Sequence, residues 1–143
     1  MRLTRFSDNA MRCLIALAVQ PDEALSTERI AAQMGMSSDH LVKVVRRLAA
    51  LGYVTTVRGR QGGVRLARDP ASINIGDVIR ATEDNLDLVE CFDPGSSECP
   101  IAPACVLAPA LDRALDAFFA VLQAYTLADI AAPRRELVPL LRG

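Results

Sequence analysis

The chain has 143 residues, enough for one domain or one small domain with an appendage, and 51% of them are hydrophobic. Aromatic residues make up only 4% and Trp is absent, so an aliphatic core is expected. No run approaches the ~20 apolar residues of a membrane span and no signal-cleavage site follows the N-terminus, which together predict a soluble, cytoplasmic protein.

The net charge of −1 conceals an uneven distribution of charge along the chain. Residues 1–70 carry a net charge of +5, and residues 71–143 carry a net charge of −6. Between His40 and Arg68 there are seven basic residues and no acidic one. Such a block is typical of a surface that binds a polyanion, although a solvated face shows the same composition. Charge alone therefore leaves both interpretations open.

Two short helices joined by "GMS" are predicted after a first helix over residues 7–19. Ser26 is the expected N-cap of the second helix, which ends at Gly35. Ser37 or Ser38 caps the third helix. This arrangement predicts a helix-turn-helix, whose second member has a suitable size for the major groove of DNA.

This third helix of the chain is predicted to have an apolar face toward the core and a basic face toward solvent. Its first residues would lie nearest the base edges of DNA. For His40, a position at the edge of the groove or a capping role is favoured over metal ligation. The residues expected to contact DNA from this helix are Ser37, Ser38, His40, Lys43, Arg46 and Arg47.

After Gly52 the hydrophobic period changes from helical to alternating. "YVTTVRG" and "GVRLA" predict two short strands on either side of "GRQGG", whose glycines permit a tight hairpin. A helix-turn-helix followed by a hairpin is a winged helix, so the predicted fold class is mainly α with a small β wing. Arg58, Arg60 and Arg65 of the wing are expected to contact phosphates or the minor groove. Together with the basic block, this wing predicts binding to double-stranded DNA.

A long helix is predicted after a loop that holds three of the four cysteines. Pro109 suits its first turn, and its apolar residues alternate steps of four and three, as in a heptad seam. A core helix within one subunit would show the same stripe, but a winged helix that binds DNA as a symmetric dimer needs such a seam. We therefore favour a homodimer that meets at Leu111, Leu115, Phe118, Leu122 and Tyr125.

The predicted organisation has four parts. A winged-helix domain occupies residues 1–80, and a connecting helix with the cysteine loop occupies residues 81–106. The dimerisation helix covers residues 107–130, and residues 131–143 form a short, partly ordered tail.

The cysteine loop is the predicted metal site. Cys91, Cys99 and Cys105 have the spacings C-x7-C and C-x5-C and lie among Pro, Gly and Ser residues. Thiolates select zinc, copper(I) or iron–sulfur clusters, and the lack of paired C-x2-C knuckles disfavours structural zinc. Three cysteines can hold three corners of an iron–sulfur cubane and leave one iron for a different ligand. Cys13 lies among aliphatic residues of the first helix and is expected in the core.

An enzyme is disfavoured by what the sequence lacks. There is one His, no nucleotide-binding glycine pattern after a strand, and no evident pair of nucleophile and base. A DNA-binding protein that is cluster-free or holds zinc is a further alternative. The colour of the anaerobically purified protein distinguishes that alternative from an iron–sulfur protein.

Residues 1–130 resemble the family of small winged-helix iron–sulfur repressors that includes IscR, NsrR and RirA. The markers are "MRLTRFSDNAMRCL", the wing "VRGRQGGVRLARDP", "INIGDVIRATED" and "CPIAPAC". The segments "LVEC", "IAPACVL" and "YTLADI" are most similar to the nitric-oxide-responsive NsrR branch. Leu107 and Ala108 stand where IscR-type members carry a histidine.

The resemblance implies a repressor that binds a palindromic operator as a homodimer and responds to nitric oxide. It implies that Cys91, Cys99 and Cys105 ligate a 4Fe–4S cluster, with a 2Fe–2S cluster as the alternative. It also implies that Asp8 of the partner subunit completes the cluster, whereas by its position alone Asp8 is a favourable charge near a helix N-terminus. An iron-responsive repressor, as in RirA-type members, is the alternative function.

Overall fold

The computed structural model describes residues 2–59, 62–93, 95 and 99–141. Within these ranges the chain forms seven α-helices and one two-stranded antiparallel sheet. The predicted fold class, mainly α with a small β wing, is confirmed. Among the described residues, no helix combines the length and apolarity needed to cross a bilayer. The elements are α1 (Arg5–Val19), α2 (Thr27–Met34), α3 (Ser38–Ala50), β1 (Val54–Val57), β2 (Gly63–Leu66), α4 (Ile75–Thr82), α5 (Leu107–Gln123), α6 (Leu127–Ala131) and α7 (Arg134–Leu141).

Local capping explains the bounds of the N-terminal helices. Thr4 and Ser26 accept hydrogen bonds from backbone N–H groups in the first turns of α1 and α2. Because Thr4 is the cap, α1 begins at Arg5, ahead of the predicted start. α2 ends at Gly35, whose φ of +63° lies in the left-handed region that favours glycine. Ser37 precedes α3, but its side chain makes no capping hydrogen bond.

The core is aliphatic, and α1 runs through it in contact with α2, α3, α4 and α6. Leu14, Leu41 and Leu48 are among its fully buried side chains. Cys13 is also fully buried, as predicted, and this burial raises the pKa of its thiol to about 12. Cys13 therefore acts as a small hydrophobic side chain.

Backbone hydrogen bonds fix the wing to the helical body. β1 and β2 pair with Val57 opposite Gly63. Leu25, between α1 and α2, exchanges two hydrogen bonds with Val64, at 3.1 and 2.8 Å. A Cβ on Gly63 would lie 2.6 Å from the carbonyl oxygen of Leu25, so this close approach requires glycine. The wing is thus held at a defined position beside α3.

The second half of the chain differs from the predicted boundaries. α4 ends at Thr82, and the described residues that follow form two 3₁₀ turns, at Glu90–Phe92 and Ala102–Ala104, in place of a connecting helix. α5 is shorter than the predicted dimerisation helix, because Thr126 starts the separate helix α6 with a capping box.

The predicted tail is also different, since it contains helix α7. Arg134 Nε donates a hydrogen bond of 2.7 Å to the carbonyl of Val19, at the C-terminus of α1. The same guanidinium lies 3.4 Å from Asp22. A cation at a helix C-terminus is favourable. This contact joins the start of α7 to the end of α1, which lies 115 residues earlier, so local sequence does not reveal it.

Candidate nucleic-acid interface and cysteine site

The solvent face of α3 carries the side chains expected to contact DNA. Ser37, Ser38, Lys43 and Arg46 are exposed, whereas the apolar stripe of the helix is buried against the core. This is the amphipathic arrangement that the sequence predicts. It leaves a basic helical surface free to enter a major groove.

A groove of about 750 Å³ separates α3 from the wing. Arg46 of α3 and Arg58 of the wing line it, together with Ser26 and Thr27 at the N-terminus of α2. Arginine side chains and the N-terminus of a helix both attract phosphate. The sequence predicts both arginines as DNA contacts, but the position of α2 beside them depends on tertiary packing. We name this surface the α3–wing groove.

Two of the residues predicted to contact DNA, Arg47 and His40, contact other helices of the protein. Arg47 Nη2 donates a 3.0 Å hydrogen bond to the carbonyl of Ala81 in α4. His40 is half-buried with its ring edge-to-face against Phe6, at 6.1 Å between centroids, and its buried Nε2 has no hydrogen-bond partner in the described part of the chain. Both residues therefore lie on the side of α3 that faces α1 and α4. Their contact with DNA stays a prediction.

The arginines of the wing have different roles. Arg58 and Arg65 are exposed, and Arg60 lies outside the described residues. Arg68 instead donates two hydrogen bonds, of 2.8 and 2.9 Å, to the turn after α3, and its guanidinium lies 4.7 Å from the ring centre of Tyr53. Arg68 thus stabilises the base of the wing, although the sequence groups it with the basic block.

The three loop cysteines line one cavity of about 450 Å³ beside the start of α5. All three are free thiols, and Cys91 and Cys105 are half-buried while Cys99 is exposed. Within the described ranges, no group of three His, Cys, Asp or Glu residues is arranged to hold a metal ion. The remaining lining consists of one acidic residue, Glu90, and five apolar residues: Val89, Ile101, Leu107, Ala108 and Leu111. The structure therefore gathers the predicted ligands around an apolar cavity.

The start of α5 suits negative charge. The backbone N–H of Ala108 donates to Sγ of Cys105 at 3.4 Å, and Val106 makes no side-chain capping bond. This N–H group and the positive end of the helix dipole both lie beside the Cys105 sulfur. Around the cavity, Ile101, Val106 and Leu107 are 64%, 81% and 64% exposed. A clustered apolar rim of this kind is typical of a surface that another protein surface covers.

Asp8 lies apart from the cysteine cavity. It is in the first turn of α1, and its half-exposed carboxylate lies 3.0 Å from Arg12. It is absent from the described lining of the cavity. A single subunit does not bring Asp8 to the three thiols, so its predicted role as a ligand depends on a partner subunit.

α5 carries two apolar stripes. Of the predicted seam, Leu115, Phe118 and Leu122 are half-buried against the core of their own subunit. Leu111 is also half-buried, and Tyr125 is exposed. A second stripe at steps of three and four is exposed along the helix: Leu107, Ala110, Ala114, Ala117 and Val121. Because several of its residues are alanines, its hydrophobic pattern is weak in the sequence. It is nevertheless the apolar face of α5 that is exposed to solvent in a single chain.

A helix-turn-helix with a basic wing defines a DNA-binding regulator of the winged-helix class. A family model described as "Rrf2: Iron-dependent Transcriptional regulator" matches residues 3–133. The chain belongs to the Rrf2 family of transcriptional regulators.

Individual relatives agree with this assignment. The chain is 46% identical to the HTH-type transcriptional regulator NsrR of Bacillus subtilis, over 99% of this chain and 98% of that protein. It is 48% identical to NsrR of Geobacillus kaustophilus, over 99% and 97%. The solved structure of T. potens IscR superposes with a TM-score of 0.75 at 26% identity, covering 93% of this chain and 88% of that one. The predictions of a DNA-binding transcriptional repressor and of a protein that is not an enzyme are confirmed by these relationships.

Proposed function

We propose that the chain is a cytoplasmic, homodimeric repressor whose affinity for a palindromic operator depends on an iron–sulfur cluster that reacts with nitric oxide. The observation that carries the proposal is the convergence of three free thiols on one apolar cavity. This cavity occurs in a winged-helix regulator that is 46% and 48% identical to two NsrR proteins.

The donor set at the cavity suits an iron–sulfur cluster, because thiolates are the protein ligands that such clusters take. Cys91, Cys99 and Cys105 would hold a 4Fe–4S cluster, and Asp8 of the partner subunit would provide the remaining ligand. When bound, the cluster supplies iron atoms that react with nitric oxide. Apolar side chains surround the three thiols, and the N-terminal end of the α5 dipole lies beside Cys105. A 2Fe–2S cluster on the same cysteines is the alternative.

The dimer would meet along the exposed stripe of α5 and the apolar rim of the cavity. Two α3 helices in a symmetric dimer would read half-sites separated by about 34–36 Å, one turn of DNA. Ligands drawn from both subunits would make the relative position of the two α3 helices depend on an intact site. Repression would therefore require the loaded dimer.

An iron-responsive repressor is the second candidate, and the family description as iron-dependent favours it. Anaerobic purification followed by measurement of iron, sulfide and visible absorbance tests the shared part of both candidates. We expect a brown protein with iron and sulfide in equal amounts, and a colourless protein that contains zinc would contradict both. Rapid bleaching by stoichiometric nitric oxide supports the first candidate. Bleaching by an iron chelator, with no response to nitric oxide, supports the second.

A further inference from the structure

We propose that Val42 contributes to operator specificity by contacting the C5-methyl group of a thymine in the major groove. The inference rests on the proposed placement of α3 in that groove. It concerns an apolar side chain that lies between Ser38 and Arg46 on the solvent face of α3.

Val42 occupies the solvent side of α3. It follows Ser38 by four residues and precedes Arg46 by four, so the three side chains form one row along the helix. Ser38 and Arg46 are exposed, and Val42 is 46% exposed. The core-facing residues of α3, such as Leu41 and Val44, are fully buried, and Val42 lies outside that stripe.

The surroundings of Val42 favour a DNA duplex as its partner. Val42 lines the α3–wing groove with Arg46 and Arg58, whose positive charges complement phosphate and outnumber the single carboxylate of the lining, Glu28. In the major groove, thymine is the base that presents a methyl group, and apolar side chains contact it. The other base edges present donors and acceptors that a valine would leave unpaired.

The distribution of exposed apolar residues supports a specific role. Isolated exposed apolar side chains are common on proteins. In the described chain, however, most large exposed ones lie at the cysteine cavity or on or next to α5, and Leu140 lies on α7. Val42 and Val57 are the two in the α3–wing groove. Val57 is 43% exposed and lies on strand β1, so it serves as a matched control with the same side chain outside the reading helix.

The experiment uses the cluster-loaded dimer and a duplex that the wild-type protein selects from a randomised library. Each thymine of one half-site is replaced in turn by deoxyuridine, which removes only the methyl group. Affinities are measured for wild type, Val42→Ala and Val57→Ala at constant salt concentration. Both valines are exposed, so neither substitution is expected to unfold the protein.

At one thymine, we expect wild type to lose about fourfold in affinity on the change to deoxyuridine, as the burial of one methyl group predicts. Val42→Ala should bind the thymine duplex more weakly than wild type and be insensitive to the replacement. Val57→Ala should retain the wild-type sensitivity. Equal sensitivity of wild type and Val42→Ala at every thymine would overturn the inference. A dimer that selects no duplex at all would overturn the proposed function as well.

Discussion

The four cysteines of this chain lie in two different environments. Cys13 is fully buried among aliphatic side chains, and this burial raises the pKa of its thiol to about 12. Cys91, Cys99 and Cys105 are free and at least partly accessible around the cavity at the start of α5. Because the thiolate is the reactive and ligating form, the loop cysteines are available for chemistry while Cys13 is not.

This difference predicts the pattern of alkylation. In folded, cluster-free protein at neutral pH, iodoacetamide should modify the three loop cysteines and leave Cys13 unmodified. In denaturant, all four should react. Mass spectrometry of the two samples measures the pattern, and rapid modification of Cys13 in the folded protein would contradict the assignment of Cys13 to the core.

Binding of the cluster should depend on the loop cysteines and not on Cys13. Cys99→Ala should give colourless protein without bound iron, because two thiolates remain for a multi-iron group. Cys13→Ala should keep the visible absorbance of wild type and lose only about 1 kcal/mol of stability through its small buried cavity. Iron content and thermal unfolding measure the two effects. Full iron content in Cys99→Ala would remove this residue from the ligand set.

Asp8 is tested best against its ion-pair partner. If Asp8 of the partner subunit is a ligand, Asp8→Ala should still assemble a cluster but change its spectrum and its rate of reaction with nitric oxide. Arg12→Ala removes the same 3.0 Å ion pair and should keep the wild-type spectrum. Stopped-flow absorbance measures both variants, and identical behaviour of Asp8→Ala and Arg12→Ala would limit Asp8 to the ion pair.

The arginines of α3 and the wing are predicted to divide between contacts with DNA and contacts within the protein. Arg46→Ala should weaken DNA binding on all sequences and flatten the log–log dependence of affinity on salt by about one unit, since one phosphate contact is lost. Arg68→Ala should instead destabilise the base of the wing, where Arg68 holds the turn after α3, and leave the salt dependence unchanged. Fluorescence anisotropy between low and physiological salt tests this pair. An unchanged slope for Arg46→Ala would exclude Arg46 from the interface.

The two stripes of α5 should respond differently to charge. Val121 is 61% exposed, so Val121→Glu should give a folded monomer. Phe118 is half-buried beside Phe119, so Phe118→Asp should destabilise the subunit itself by roughly 2–4 kcal/mol. Analytical ultracentrifugation and urea unfolding distinguish the two outcomes. A stable Val121→Glu dimer would show that the exposed stripe is outside the interface.

Local signals predicted the winged helix well, because caps and turns determine its boundaries. Ser26 and Gly35 delimit α2, and the glycines of the wing permit its hairpin. Local signals could not predict two features: that the apolar stripe of α5 faces the core of its own subunit, and that the C-terminal segment forms helix α7. The first depends on packing against the core, and the second depends on the distant contact between Arg134 and Val19.

The candidate sites follow the same division. The sequence identified the three cysteines and the basic face of α3, since residue type and spacing carry that information. The cavity lining, the exposure of Val42 and the bond from Arg47 to Ala81 depend on how distant segments pack. Asp8 was linked to the cysteines by family resemblance, and one subunit keeps it apart from them.

The subunit connects its DNA-binding surface to the cysteine segment at the end of α4. Arg47 of α3 donates to the carbonyl of Ala81, and the backbone N–H of Thr4 donates to the carboxylate of Glu83 at 2.9 Å. The chain leaves α4 at this point and reaches Cys91 in the 3₁₀ turn Glu90–Phe92. These two hydrogen bonds join α3 and the residue before α1 to the end of α4, from which the chain continues toward Cys91.

The most direct test of cluster-controlled repression is the affinity of the anaerobic dimer for its selected operator before and after nitric oxide, with Cys99→Ala as the cluster-free control. We predict that nitric oxide treatment and Cys99→Ala each weaken operator binding by about tenfold or more toward the non-specific level, while affinity for unrelated DNA stays the same. Equal operator affinity of the loaded dimer, the treated dimer and Cys99→Ala would contradict the account.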